Sequence, residues 1–252
     1  MREGKPRQTG IVHRIREGTL IIDLKRLHRT ISSAPRGGGI VRARSILNHQ
    51  VAANPATSDR PRPVRWSDPA RHLGRLAMRV NARRPVVGLM TAVPMKQVVI
   101  GREQSGPIWI QCFCTVGVTN AVRAGEPSSC TKSDRHDAGT INIILITNAT
   151  LGMGALVGAV QVATESKTGT LIRNNVRSVI RHGSLATGTG TDAVVIASSL
   201  EGLHRIPYSG THTVIGAMIG RLVSRCVEAG LLRSIRWSRS GGRRTGRARR
   251  SS

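Results

Sequence analysis

Aromatic residues are scarce: the 252 residues hold one Phe, one Tyr and three Trp. So few rings cannot build the stacking platforms of single-strand or RNA binders. Lysine is scarce too, 5 against 34 Arg, and only 13 residues are acidic. The four cysteines, Cys112, Cys114, Cys130 and Cys226, are too few and too unevenly spaced for a disulfide scaffold and suggest reduced thiols. Cys112-x-Cys114 has the wrong spacing for a zinc knuckle; as alternate residues of a strand both thiols face one side, as core. Glycine lacks the period of three that collagen needs. Met1–Gly10 has no apolar stretch, which excludes a secretory signal and makes the cytoplasm the expected location. Residues 140–164 carry no charge, but they change period midway. They read as a strand, a turn and a buried helix rather than a membrane span. Neither a Walker loop, nor G-x-S-x-G, nor H-E-x-x-H occurs.

With 39% apolar residues, the chain can bury a core without a metal or disulfide staple. The net charge of +26 invites a nucleic-acid reading. Its distribution argues otherwise. Residues 233–252 carry eight Arg and no acid, whereas the charge of the middle of the chain is dispersed. Nucleic acid is expected only as a non-specific partner of that tail. The organisation expected is a basic arm at 1–17, one domain at 18–232, and an Arg/Ser/Gly-rich disordered tail at 233–252. The fold class is α/β (or α+β), a single layered domain of mixed β-sheet packed with helices.

Periodicity predicts paired strands at Thr19–Leu24 and Arg29–Ser33, then a helix at Ile40–Gln50. A surface loop follows at Ala53–Pro69. Ser67 is a candidate N-cap for a helix over Asp68–Val80. Strands are expected at Pro85–Ala92, Gln97–Gly101 and Ile108–Val118, with a loop at Glu126–Gly139. Further on come a strand at 141–147, a helix from Gly154 to about Arg173, a strand at Asp192–Ser198 and a helix at Gly210–Leu232. Thr115-Val-Gly-Val-Thr-Asn-Ala-Val122 aligns with Thr187-Gly-Thr-Gly-Thr-Asp-Ala-Val194 at four of eight positions, a trace of duplication or a chance recurrence.

Several segments have the residue types that chemistry needs. Gly37-Gly38-Gly39 can present backbone N–H groups to a ligand, or is a tight turn. Asn48-His49-Gln50 either caps a helix or binds a ligand. Glu165 is the lone acid between Asp137 and Asp192 in an apolar helix. It is either a burial-shifted acid or base, or part of an exposed face. Glu165 and Lys167, two apart, do not share a helix face. Ala186–Asp192 combines hydroxyls, glycines and one carboxylate, which suits a polar ligand or a flexible turn. Asp134-Arg-His-Asp-Ala-Gly139 fits the D-x-H-x-x-G pattern of cobalt-ligating histidines but lacks that pattern's downstream partners. His212, between Thr211 and Thr213, is a site residue or a helix-start residue.

Eight blocks in order carry a resemblance. They are Ser33-Ala-Pro-Arg-Gly-Gly-Gly39, Arg42-Ala-Arg-Ser-Ile-Leu-Asn-His-Gln50, Val87-Gly-Leu-Met-Thr-Ala-Val93, Thr115–Gly125, Gly139-Thr-Ile-Asn-Ile-Ile144, Ala163-Thr-Glu-Ser-Lys-Thr168, Ala186–Asp192 and Tyr208-Ser-Gly-Thr-His212. The chain resembles the adenosylcobinamide amidohydrolases of corrinoid salvage over roughly residues 18–230. The resemblance implies hydrolysis of the aminopropanol amide of adenosylcobinamide to adenosylcobyric acid. It implies a corrinoid partner and no required cofactor, the cobalt arriving in the substrate. Within that chemistry Glu165 or His49 is the candidate base, and Lys167 and Asp192 would hold or tune Glu165. A nucleophilic Thr164 or Thr191 stays open. Gly37, Gly38, Gly39, Asn48, Asn120, Asn142, Thr189, Gly190, Thr191 and His212 are candidates for binding the substrate. The rival readings are a corrinoid-binding protein without turnover and a nucleic-acid binder acting through its arms.

Overall fold

The computed structural model describes residues 11–51, 68–127, 139–181 and 183–239. The chain opens with β1 (Val12–Arg16), which turns through Glu17 and Gly18 into the long β2 (Thr19–Ser32). Both turn residues have positive φ, 49° and 65°. That is the geometry of a two-residue hairpin whose twist matches its strands, and Gly18 adopts it without Cβ strain. The end of the expected basic arm is therefore a strand on the sheet. β3 (Gly39–Gln50), α1 (Pro69–Arg79) and β4 (Val86–Thr91) follow. Next come β5 (Val99–Ser105), β6 (Ile108–Val116), the short β7 (Ala121–Val122) and β8 (Ile141–Thr147). The chain continues with β9 (Thr150–Leu151), α2 (Met153–Arg173), β10 (Gly188–Thr189), β11 (Ala193–Ser199), β12 (Arg205–Ile206) and α3 (Val214–Arg239).

Eight strands form one mixed sheet in the order β4-β3-β2-β11-β8-β6-β5, with β1 alongside the first half of β2. The pairs β3–β4 and β8–β11 are parallel and the others antiparallel. In a flat sheet β4 and β8 would lie roughly 19 Å apart, four strand spacings. Instead Asn142 on β8 donates to the Met90 carbonyl on β4 at 2.9 Å. The sheet curls over itself, and Leu20, Ile22, Ile46 and Leu89 of one half meet Phe113, Ile144 and Val195 of the other. Helices α2 and α3 cover the outer face of β6, β8 and β11, and α1 covers that of β2 and β3. Fully burying each such Leu, Ile or Phe side chain contributes about 1.5–3 kcal/mol.

The expected helix at Ile40–Gln50 is a strand. Arg44 N and Ser45 N both donate to the Pro85 carbonyl, a bulge that resets the alternation of faces. Ala43 and Ile46 consequently share the inner face three residues apart, a spacing that imitates a helix. Thr19–Leu24 and Arg29–Ser33 are not partners but the two ends of β2. An irregularity between Asp23 and His28, with Lys25 at φ 57°, separates them, and both pair with β3. Asp68, not Ser67, caps α1 by accepting from Arg71 N at 2.8 Å; Ser67 lies outside the described residues. α3 begins at Val214 behind Thr213, whose hydroxyl accepts from Gly216 N at 3.0 Å. It runs on through 233–239, the start of the expected disordered tail; Arg233 reaches back to the carbonyls of Gln97 and Val98. Residues 240–252, Cys130 and 134–138 of the D-x-H-x-x-G segment lie outside the described residues. Among the described residues, no helix is long and apolar enough to cross a membrane.

Candidate active site

β8 and β11 run in parallel with Asn142 beside Ala193, so the segments leading into both strands converge. The internal near-repeat converges there as well: β7 pairs with β10, Ala121 opposite Thr189. The Asp192 carboxylate lies at the centre. Its Oδ1 accepts from Ile141 N at 3.0 Å and the Thr189 hydroxyl at 2.5 Å. Its Oδ2 accepts from Thr189 N at 3.0 Å and Lys167 Nζ at 2.5 Å. The ion pair is largely shielded, with side-chain exposures of 9% for Lys167 and 14% for Asp192. Four donors on two oxygens compensate the desolvation that a buried carboxylate suffers. Gly188 makes room for the pair, since a Cβ there would stand 2.5 Å from Asp192 Oδ2 and 2.7 Å from Lys167 Nζ. Beside it the Thr140 and Thr191 hydroxyls are hydrogen-bonded to each other, and Thr191 donates to the Gly139 carbonyl at 3.1 Å.

The ion pair opens onto a groove of about 420 Å³. Val160, Thr164 and Lys167 of α2 form one wall, while Ile31, Ser32 and Ser33 at the end of β2 form the other. Ser32 pairs with Gly39, so the glycine turn continues from that second wall. Gly37 and Gly39 have φ of 68° and 77°, and Gly37 packs against Val86 and Val87, as a tight turn requires.

A second polar cluster occupies the inner face of the same strand ends. Asn48 Nδ2 donates to the Thr115 hydroxyl at 3.1 Å, and Asn142 Nδ2 donates to Asn48 Oδ1 at 2.9 Å. Asn142 Oδ1 and Asn120 Oδ1 are buried acceptors without a hydrogen-bond partner among the described residues.

Alternation along β3 sends His49 to the opposite face from Asn48, beneath α1. There its Nδ1 lies 2.8 Å from the Thr19 hydroxyl and its ring centroid 5.4 Å from that of His72. Burial, His72 and Arg79 push its pKa down to about 4 against the pull of Glu17. Glu165 is exposed on α2 and does not line the groove. Thus Lys167, Asp192, Thr189, Gly190, Thr191, Asn48, Asn120 and Asn142 gather around the ends of β8 and β11. His49 and Glu165 stand apart from the groove, and His212 is exposed ahead of α3. The expected Cys112 and Cys114 pair is core, and burial pushes the Cys114 thiol up. Sequence reasoning missed Ser32 and Thr140. Ser32 read as mere strand end, and Thr140 stood in the Gly139–Ile144 block without a role of its own.

A shielded ion pair and hydroxyl-bearing side chains thus converge on a groove at the strand ends of an α/β protein. The family model for adenosylcobinamide amidohydrolase matches residues 4–239, and the chain belongs to that family. An adenosylcobinamide amidohydrolase of Methanosarcina mazei is 30% identical over 227 residues, 87% of this chain and 96% of the relative. One from Halobacterium salinarum is 33% identical over 146 residues, 57% of each chain. An uncharacterized protein of Methanocaldococcus jannaschii is 28% identical over 235 residues, 85% of this chain and 86% of the relative.

Proposed function

We propose that this chain hydrolyses the aminopropanol amide of adenosylcobinamide, releasing adenosylcobyric acid and free aminopropanol, with Lys167 and Asp192 at the reacting end of the groove. The observation that carries this reading is the shielded Lys167–Asp192 pair facing a groove whose largely apolar lining includes Ser32, Ser33 and Thr164. Asp192 is saturated by four donors, so it acts by fixing Lys167 rather than by taking a proton. Lys167 commits one N–H to Asp192 and keeps two for the groove. Those two would meet the amide oxygen as water adds to the carbonyl carbon and negative charge builds there. The C–N bond then breaks, the acyl carbon keeps the water oxygen, and the amine leaves with the water proton. Thr164, on the groove wall, and Thr191, beside Asp192, would orient that water. Asn48 and Asn142, on the inner face, brace the strand ends through their mutual hydrogen bond. Cobalt belongs to the substrate in this scheme.

Mass spectrometry after incubation with adenosylcobinamide, without added metal, tests the reading. Adenosylcobyric acid and aminopropanol in equal amounts are expected. A folded protein that binds the corrinoid and yields neither product would overturn hydrolysis in favour of binding without turnover.

A further inference from the structure

The groove is too small for the substrate class proposed above. Pockets that enclose drug-sized ligands run about 300–1,000 Å³, and a corrinoid with its upper ligand is far larger than such a ligand. A groove of about 420 Å³ accommodates an amide arm and leaves the macrocycle outside. The surface next to the groove is apolar on both sides. On α2, Val160 and Thr164 line the groove, and the same helical stripe continues to Val157 and Met153 at spacings of three and four residues. These two are 48% and 50% exposed. Across the groove, Ile31 pairs with Ile40, so both side chains share one face of the sheet. Ile40 is 47% exposed. Two positions further along the same ladder, Arg29 stands opposite Arg42 on that face.

We infer that Val157 and Met153 of α2 and Ile40 of β3 form the platform on which the corrin macrocycle rests while its amide arm enters the groove toward Lys167. The inference rests on the reading given under Proposed function. Its physical basis is continuity: the apolar stripe and the groove wall are one helix face, and Ile40 extends the opposite wall. A flat macrocycle rimmed by amides matches a surface that is apolar in the middle and cationic at one edge. Arg29 and Arg42 would donate to the carbonyl oxygens of that rim. Like charges set directly opposite each other on a sheet cost stability, and a ligand carbonyl between them offsets that cost.

The test uses adenosylcobyric acid as probe, because it keeps the macrocycle but lacks the scissile amide. Equilibrium dialysis read by the corrin's own absorbance gives the dissociation constant for wild type, Val157→Glu and Ile40→Glu. Met78→Glu on α1, also an exposed apolar position, serves as the control. Tenfold or greater weakening is expected for Val157→Glu and Ile40→Glu, with none for Met78→Glu. With adenosylcobinamide as substrate, the loss in the same two variants falls on KM more than on kcat. Milder Val157→Ser and Ile40→Ser variants keep the test open if a glutamate disturbs folding. Equal affinity in folded wild type and platform variants would overturn the platform. Binding that depends on the platform in a protein that releases no aminopropanol would overturn the hydrolysis and leave the platform standing.

Discussion

Lys167 and His49 are buried to nearly the same degree, 8% and 9% exposed, and they differ in everything else that matters for chemistry. Lys167 is paired with a carboxylate and opens onto a groove. His49 meets a hydroxyl, a second imidazole and the Arg79 charge, and α1 covers it. Burial alone therefore does not single out a candidate site; Lys167 adds to it a carboxylate partner and an opening onto the groove. Burial, His72 and Arg79 leave His49 neutral over the neutral pH range.

The largest effects are expected at the ion pair. Lys167→Met should lower kcat about 10²–10³-fold, the usual effect of removing one donor to a developing oxyanion, measured as aminopropanol release. Asp192→Asn leaves the Lys167 charge buried without its partner and should cost about 3–5 kcal/mol, read from urea unfolding. On the inner face, Asn142→Ala strands Asn48 Oδ1 and the Met90 carbonyl and should cost ~1–3 kcal/mol in the same assay.

His49 sharpens the contrast through pH. Its folded pKa of about 4 lies below the 6.5 of the unfolded chain, so the unfolded state takes up the proton first. Stability therefore falls as pH drops from 6.5 to about 4 and loses nothing more from this group below that. We expect about 1–2 kcal/mol from this group across that window after solvent screening. Thermal melts of His49→Gln at pH 7 and pH 4.5 should show a correspondingly smaller difference than wild type. The smallest effect belongs to Glu165→Gln, at an exposed position: within about 0.5 kcal/mol in stability and within a few-fold in rate. A loss of 10²-fold there would return the catalytic role to Glu165.

Particular residues show which parts of this arrangement a sequence can carry. β8 was readable because a strand buried on both faces reads as a near-continuous apolar, β-branched run, and Ile141–Thr147 is one apart from Asn142 and Leu145. The convergence of Asn48, Asn142, Lys167 and Asp192 was readable as ordered blocks, though not as geometry. The phase of α2 was hidden. Its Ala, Gly, Val and Thr residues surround the helix, so nothing in the pattern told whether Glu165 or Lys167 turns inward. The sheet itself decides, because Asp192 at the start of β11 is where a cation is needed. β3 was misread for a local reason, the bulge at Arg44 and Ser45, and the misreading hid the fact that neighbours Asn48 and His49 face opposite ways. β1 stayed hidden because all five of its residues are exposed, which leaves an edge strand without an apolar pattern.

The most direct test of the account is a single-turnover comparison of wild type and Lys167→Met, each saturated with adenosylcobinamide, with aminopropanol release followed by mass spectrometry. Wild type should release aminopropanol rapidly and the variant at a rate lower by about two orders of magnitude, with the corrinoid still bound. Release by a folded Lys167→Met protein at the wild-type rate would contradict it.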